Sequence, residues 1–179
     1  MTTAASRLQF IQLMPTDLFT LLRRDHTEVQ QALALLLDPA ATTADLRMGL
    51  DGVRLGLTAH AEAQDIVLAR FEIVPALRGP VAAVRAAHLA QAHALSALVS
   101  SRPGSTTWRE RGAHLRELVA AHAAHDEAGL SAALRHHLPV ELYARIAGAF
   151  ATERLRQLAM LQPSAPIFVA DYAAEARAS

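Results

Sequence analysis

The chain has 179 residues, 52% of them hydrophobic but only 4% aromatic, and 17 basic side chains balance 17 acidic ones. A single domain with a tail is expected from that length, and zero net charge excludes a general electrostatic grip on nucleic acid or an anionic membrane. Every basic residue is arginine and cysteine is absent, which excludes disulfides, thiolate ligands and thiol catalysis. Without a bilayer-length apolar span or a signal-like N-terminal core, the chain reads as a soluble, cytoplasmic protein that does not enter a membrane.

In chain order, residues 1–14 make an N-terminal arm with an apolar patch (Leu8, Phe10, Ile11, Leu13) expected to dock on the body. Thr16, after Pro15, can cap a first helix that runs to about Leu37 and stops at Asp38-Pro39. Thr42 or Thr43 caps a second, from about Ala44 to Glu72. Pro75, Gly79 and Pro80 break the chain, and Pro80 is placed to open a third helix reaching about Ser100. A turn at Ser101-Arg102-Pro103-Gly104-Ser105 follows. Thr107-Trp108-Arg109-Glu110 reads as a capping box for a fourth helix, to about His136. Pro139 suits the first turn of a fifth, ending near Leu161. The stretch 163–179, with two prolines and an Ala-rich end, is expected to be extended and then disordered. No strand pattern and no internal repeat is visible. The fold class is therefore all-α: an up-and-down four-helix bundle over 15–162 with an additional C-terminal fifth helix.

Nine histidines are the compositional oddity. Stepping about 100° per residue sets each against the apolar stripe of its own helix. His26 falls on the stripe Leu18, Leu22, Val29, Leu33, Leu36; His60 and Gln64 fall on Leu46, Leu50, Val53, Leu57, Val67, Phe71. His88 sits amid Val81, Val84, Leu95 and Val99, with His93 nearly opposite. His122 and Asp126 join Leu115, Leu118, Val119 and Ala133, with His125 at the edge and Glu127 on the other flank. Asp65 points well away, and His114, His136 and His137 read as solvated. Each of the four long helices thus offers one core-facing histidine. Burying an imidazole without a partner costs on the order of 1–3 kcal/mol, and a bound metal ion would supply partners to all four at once.

The order and spacing of these motifs resemble the hemerythrin-like, HHE cation-binding domains, four-helix bundles that hold a non-heme di-iron centre. The likeness covers about residues 15–162. It rests on Leu21-Leu22-Arg23-Arg24-Asp25-His26, on His60-Ala61-Glu62-Ala63-Gln64-Asp65-Ile66-Val67-Leu68, on His88, and on His122-Ala123-Ala124-His125-Asp126-Glu127. The resemblance implies that His26, His60, His88 and His122 are ligands. It places bridging carboxylates four residues after the second-helix histidine, which is Gln64 here, and five after the fourth-helix one, which is Glu127. The face reading prefers Asp126 instead, and both stay open at this point. The family's second helix-three histidine falls on Ala92, with His93 one position late. Iron as one or two ions, zinc, or an empty site are all compatible with that incomplete set.

What the resemblance implies is a metal-binding module for oxygen binding, oxygen or redox sensing, or iron handling, with dioxygen as a candidate partner. An alternative is a helical scaffold with a degenerate, metal-poor site, acting through protein contacts. A second apolar stripe on helix two (Met48, Leu55, Ala59, Ile66) could serve a homodimer or cover the N-terminal arm. A single-metal oxidase or hydrolase is a third reading. Beyond the candidate ligands no acid–base constellation and no phosphate loop is visible, so binding is expected rather than catalysis.

Overall fold

The computed structural model describes residues 17–162, and the helices are labelled in chain order: α1 (Leu18–Leu37), α2 (Thr43–Leu68), α3 (Pro75–Val99), α4 (Thr106–His125), α5 (Ser131–His137) and α6 (Val140–Leu161). A 3-10 turn, Ala69–Phe71, extends α2, and a π turn, Asp126–Leu130, joins α4 to α5 without a break. The described residues therefore form five helical rods and contain no strand, which makes the chain all-α. The expected N-terminal arm, the cap at Thr16 and the C-terminal tail lie outside the described residues.

Local chemistry explains most of the boundaries. Thr42 and Asp45 form a reciprocal capping box at the start of α2, and Asp38 ends α1 in an extended conformation. Before α4, Gly104 takes φ +77°, and the Ser105 hydroxyl then accepts a hydrogen bond from the Trp108 amide. The cap is thus Ser105, not the box expected at Thr107–Glu110. The third helix also starts earlier than expected: Pro75 occupies its first turn and Pro80 lies inside it. Gly79 eases part of the penalty, because the residue before a proline clashes with the ring partly through its Cβ, which glycine lacks.

Apolar side chains divide into two clusters that reveal how the rods run. One joins the start of α1 (Leu18, Leu22), the end of α2 (Val67, Leu68), the start of α3 (Leu77, Val81) and α5 (Leu134), together with Ile146 and Phe150 of α6. The other joins the opposite ends: Leu33 and Leu36, Val53 and Leu57, Ala94 and Leu98, Trp108 and Leu115. Successive helices therefore alternate in direction, as short connections require. Between the two clusters, at mid-height, lie His26, His60, His88 and His122, all buried. The predicted stripes hold except on α3, where Leu98 is buried while Val99 is 46% exposed. Lying along α1 and α2, α6 takes up the α2 flank that carries Ile66, and with Ala59 fully buried the second α2 stripe is partly covered.

Close approach of α1 and α2 depends on Gly49, whose hypothetical Cβ would stand 3.1 Å from the Ala32 carbonyl oxygen and 3.2 Å from the Leu36 amide nitrogen. Both are backbone atoms, so relief requires a shift of the helix itself rather than of a side-chain tip. Gly49→Val is expected to destabilise the fold by about 1–3 kcal/mol through overpacking. Gly148→Ala on the open face of α6, where no atom lies within 4 Å, should stabilise it by roughly 0.5–1 kcal/mol. Urea midpoints of the two variants check both signs.

Candidate metal centre

Four imidazoles converge through their Nε2 atoms at the middle of the bundle. His26 Nε2 lies 3.2 Å from His60 Nε2, which lies 3.4 Å from His122 Nε2; that atom in turn is 3.2 Å from His88 Nε2. The Asp126 carboxylate joins them, its Oδ2 standing 3.5 Å from His122 Nε2 and 3.7 Å from His26 Nε2. His26, His60, His122 and Asp126 each offer one donor atom within 4.8 Å of the others, and all four residues are buried. Nitrogen and oxygen donors about 2.1 Å from one ion in a tetrahedron are separated by about 3.4 Å. The four separations given among His26, His60, His122 and Asp126, 3.2–3.7 Å, are of that size, and the cluster could hold a metal ion.

Hydrogen-bond accounting supports the same reading. The Nδ1 atom of His60 faces Asp25 Oδ2 at 3.4 Å, and the Nδ1 atom of His88 faces Asp65 Oδ1 at 2.9 Å. A carboxylate only accepts, so it selects the tautomer with the proton on Nδ1 and leaves Nε2 of both rings bare. His26 and His122 can then bring at most one hydrogen each to the centre. The three imidazole contacts there cannot all be hydrogen bonds, whereas a cation satisfies every inward lone pair.

The pattern of outer partners crosses between helices. Asp25 precedes His26 on α1 yet serves His60 on α2; Asp65 follows Gln64 on α2 yet serves His88 on α3. Asp25 is itself held from α6, with Arg154 Nε 2.5 Å from its Oδ2. Gln64 donates from its amide nitrogen to Asp126 Oδ2 at 2.8 Å, so the position expected to carry a bridging carboxylate instead tethers the carboxylate that faces the imidazole Nε2 atoms.

Helix geometry brings Asp126, and not Glu127, to the histidine cluster. Asp126 has no exposed surface, whereas Glu127 is exposed and lines a groove between α1 and α4. His122 and Asp126 stand four residues apart on α-helical backbone, hence on one face. The π turn begins only at Asp126, where the Ser131 amide bonds the Asp126 carbonyl five residues back. Each four-residue step on an α-helix overshoots a full turn by about 40°, and the wider π turn absorbs that drift. Leu130 and Leu134 thereby return to the core beneath Asp126. Glu127 is not brought to the cluster. His93, His114, His136 and His137 are exposed, as expected.

Sequence reasoning missed Asp25, Asp65 as a histidine partner, and Arg154. Arg154 carried a readable signal: a charged residue on the α6 stripe Ile146, Phe150, Gln157, all three buried. His88 and Asp65 also line a cavity of about 480 Å³ between α2 and α3.

Burial and nearby imidazoles hold His26 and His122 neutral. Desolvation, followed by the positive fields of His60 and His88, pushes His26 down to about 3. Desolvation and the same neighbours push His122 down to about 2. Burial raises the Asp126 carboxyl above the ordinary carboxylate range, with the Gln64 hydrogen bond opposing the shift. A cation at the centre would offset that cost of burying Asp126 in its charged form. Compared with family models, with curated proteins and with solved structures, the chain gives no match.

The pH dependence of the metal-free protein follows. Below the unperturbed histidine value of 6.5, the unfolded chain takes up protons that native His26 and His122 refuse until about 3 and 2. Stability is therefore lost as pH falls, on the order of 1 kcal/mol per pH unit for each of the two histidines. The raised Asp126 acts in the opposite sense, since the native state holds its proton more tightly. Urea midpoints of chelator-treated protein at pH 7, 6 and 5 should decline steadily; a flat profile would contradict neutral buried imidazoles.

Proposed function

We propose that the chain is a metal-binding helical protein of hemerythrin-like type, holding one non-heme iron ion in the middle of its bundle. The observation that carries this is the convergence of three imidazole Nε2 atoms and one carboxylate oxygen within 4.8 Å of one another in a buried layer. His26, His60, His122 and Asp126 form the inner set, with His88 Nε2 beside His122 as a further donor. Imidazole with carboxylate suits iron and zinc alike; the resemblance of the motifs favours iron.

A single ion is preferred over a pair because two adjacent cations need bridging negative charge. Gln64 is neutral and tied to Asp126, Glu127 is exposed, and Asp25 and Asp65 stand at the outer nitrogens of His60 and His88, so among the described residues one carboxylate faces the inner nitrogens. Iron, when bound, would supply oxygen and redox chemistry, which makes oxygen binding, oxygen or redox sensing, or iron handling the expected role. The chain's own residues hold and orient: Asp25 and Asp65 keep protons on the outer nitrogens of His60 and His88, and the apolar clusters above and below exclude bulk water.

Elemental analysis after anaerobic reconstitution with iron is expected to give about one ion per chain. His60→Ala and Asp126→Ala should abolish uptake, while Glu127→Ala retains it. Because ligand binding stabilises the native state by RT ln(1 + [L]/Kd), free metal at a thousandfold excess over Kd should add about 4 kcal/mol, reversed by chelator. Wild-type protein that takes up neither iron nor zinc and shows no thermal shift with either would refute the metal reading.

A further inference from the structure

The helix outside the histidine-bearing bundle reaches the centre through two side chains. Phe150 of α6 packs edge-on against the His60 ring, with centroids 5.8 Å apart. One turn further on, Arg154 turns inward, its side chain only 12% exposed, with Nε 2.5 Å from Asp25 Oδ2 and a terminal nitrogen 2.8 Å from Glu28 Oε2. The same Asp25 oxygen faces His60 Nδ1. Asp25 is 1% exposed, and among the described residues its carboxylate faces the Arg154 guanidinium and His60 Nδ1.

We propose that Arg154 is a positioning residue for the metal centre: it pins the Asp25 carboxylate against His60 Nδ1, and so fixes the orientation and tautomer of that ligand from outside the bundle. This rests on the metal-binding reading proposed above. A buried carboxylate without a countercharge is strongly unfavourable. Arg154 provides that countercharge at the one point where Asp25 can also reach His60. With Asp25 in place, the His60 proton stays on Nδ1 and Nε2 presents its lone pair inward. Without Arg154 the carboxylate gains more by turning to water, and His60 is free to rotate or to carry its proton on Nε2, where it cannot ligate. The Glu28 contact is outer and half-exposed; it steadies Arg154 without touching the histidine.

Two readouts on the full chain test this. Imidazole ¹⁵N shifts of His60 in metal-free protein report its tautomer directly, and competition with a chromophoric chelator gives the affinity for Co²⁺. Wild type should show His60 protonated at Nδ1. Arg154→Gln should populate the Nε2-protonated form and weaken Co²⁺ binding about 10–100-fold; Arg154→Lys should recover part of both, and Glu28→Gln should leave both near wild type. Should Arg154→Gln fail to fold by circular dichroism, Asp25→Asn carries the test with the same expected directions. A wild-type tautomer together with affinity within twofold of wild type in the tested variant would overturn the proposal. So would a Glu28→Gln loss equal to that of Arg154→Gln, since general loosening of α6 would then be the cause. If wild-type protein binds no Co²⁺, the metal reading fails by itself, and the His60 tautomer alone decides whether Arg154 positions the ring.

Discussion

Four imidazoles and a carboxylate lie in one layer between two apolar clusters, and the geometry around them follows from the need to give each a partner. Water is kept from the layer by Leu22, Val67 and Val81 on one side and by Leu33, Leu57 and Leu98 on the other. In such surroundings an unpaired polar group costs on the order of 1–3 kcal/mol. Each histidine must therefore sit at the same height on its helix, which couples the register of α1 through α4. The close α1–α2 contact at Gly49 and the π turn after Asp126 are local concessions that let the helices meet in that register.

Electrostatics in the layer are graded from inside to outside. His26 and His122 are kept neutral by burial and by the neighbouring imidazoles. Negative charge is placed in two positions. Asp126 lies within the cluster and is restrained by Gln64. Asp25 and Asp65 stand behind the rings of His60 and His88, where they orient rather than coordinate. Each outer carboxylate comes from the helix before the one whose histidine it serves, so neighbouring helices are linked in the plane of the site. Through Arg154 that link extends to α6, which contributes no histidine to the layer. Displacing any one helix would disturb a histidine on another, and the outer partners therefore bear on the bundle's packing as much as on the centre.

Periodicity alone determined a good deal. The apolar stripes placed His26, His60, Gln64, His88, His122 and Asp126 inward, and all six are buried. Side-chain direction on a helix follows from position along it, so a stripe made continuous by Leu and Val carries that information without coordinates. The same rule identified Glu127, His93 and His114 as poor candidates for the core face. Capping chemistry located the start of α2, while Pro80 misled because a glycine before it allows a proline inside the first turns.

Tertiary structure decided what lies between helices. Whether four inward histidines share one height depends on axial register, and register is set by interlocking side chains and glycine contacts that no single helix encodes. The π turn lies outside α-helical stepping, so only the folded chain shows why Asp126, Leu130 and Leu134 share a face. Asp65 looked peripheral on its own helix, and Asp25 went unread, because their partners belong to the next helix along. Arg154 acquires its role from the docking of α6. The sequence by itself determined which side chains face inward; the packing of five helical rods decided which of them meet, because distances between helices depend on every contact at once.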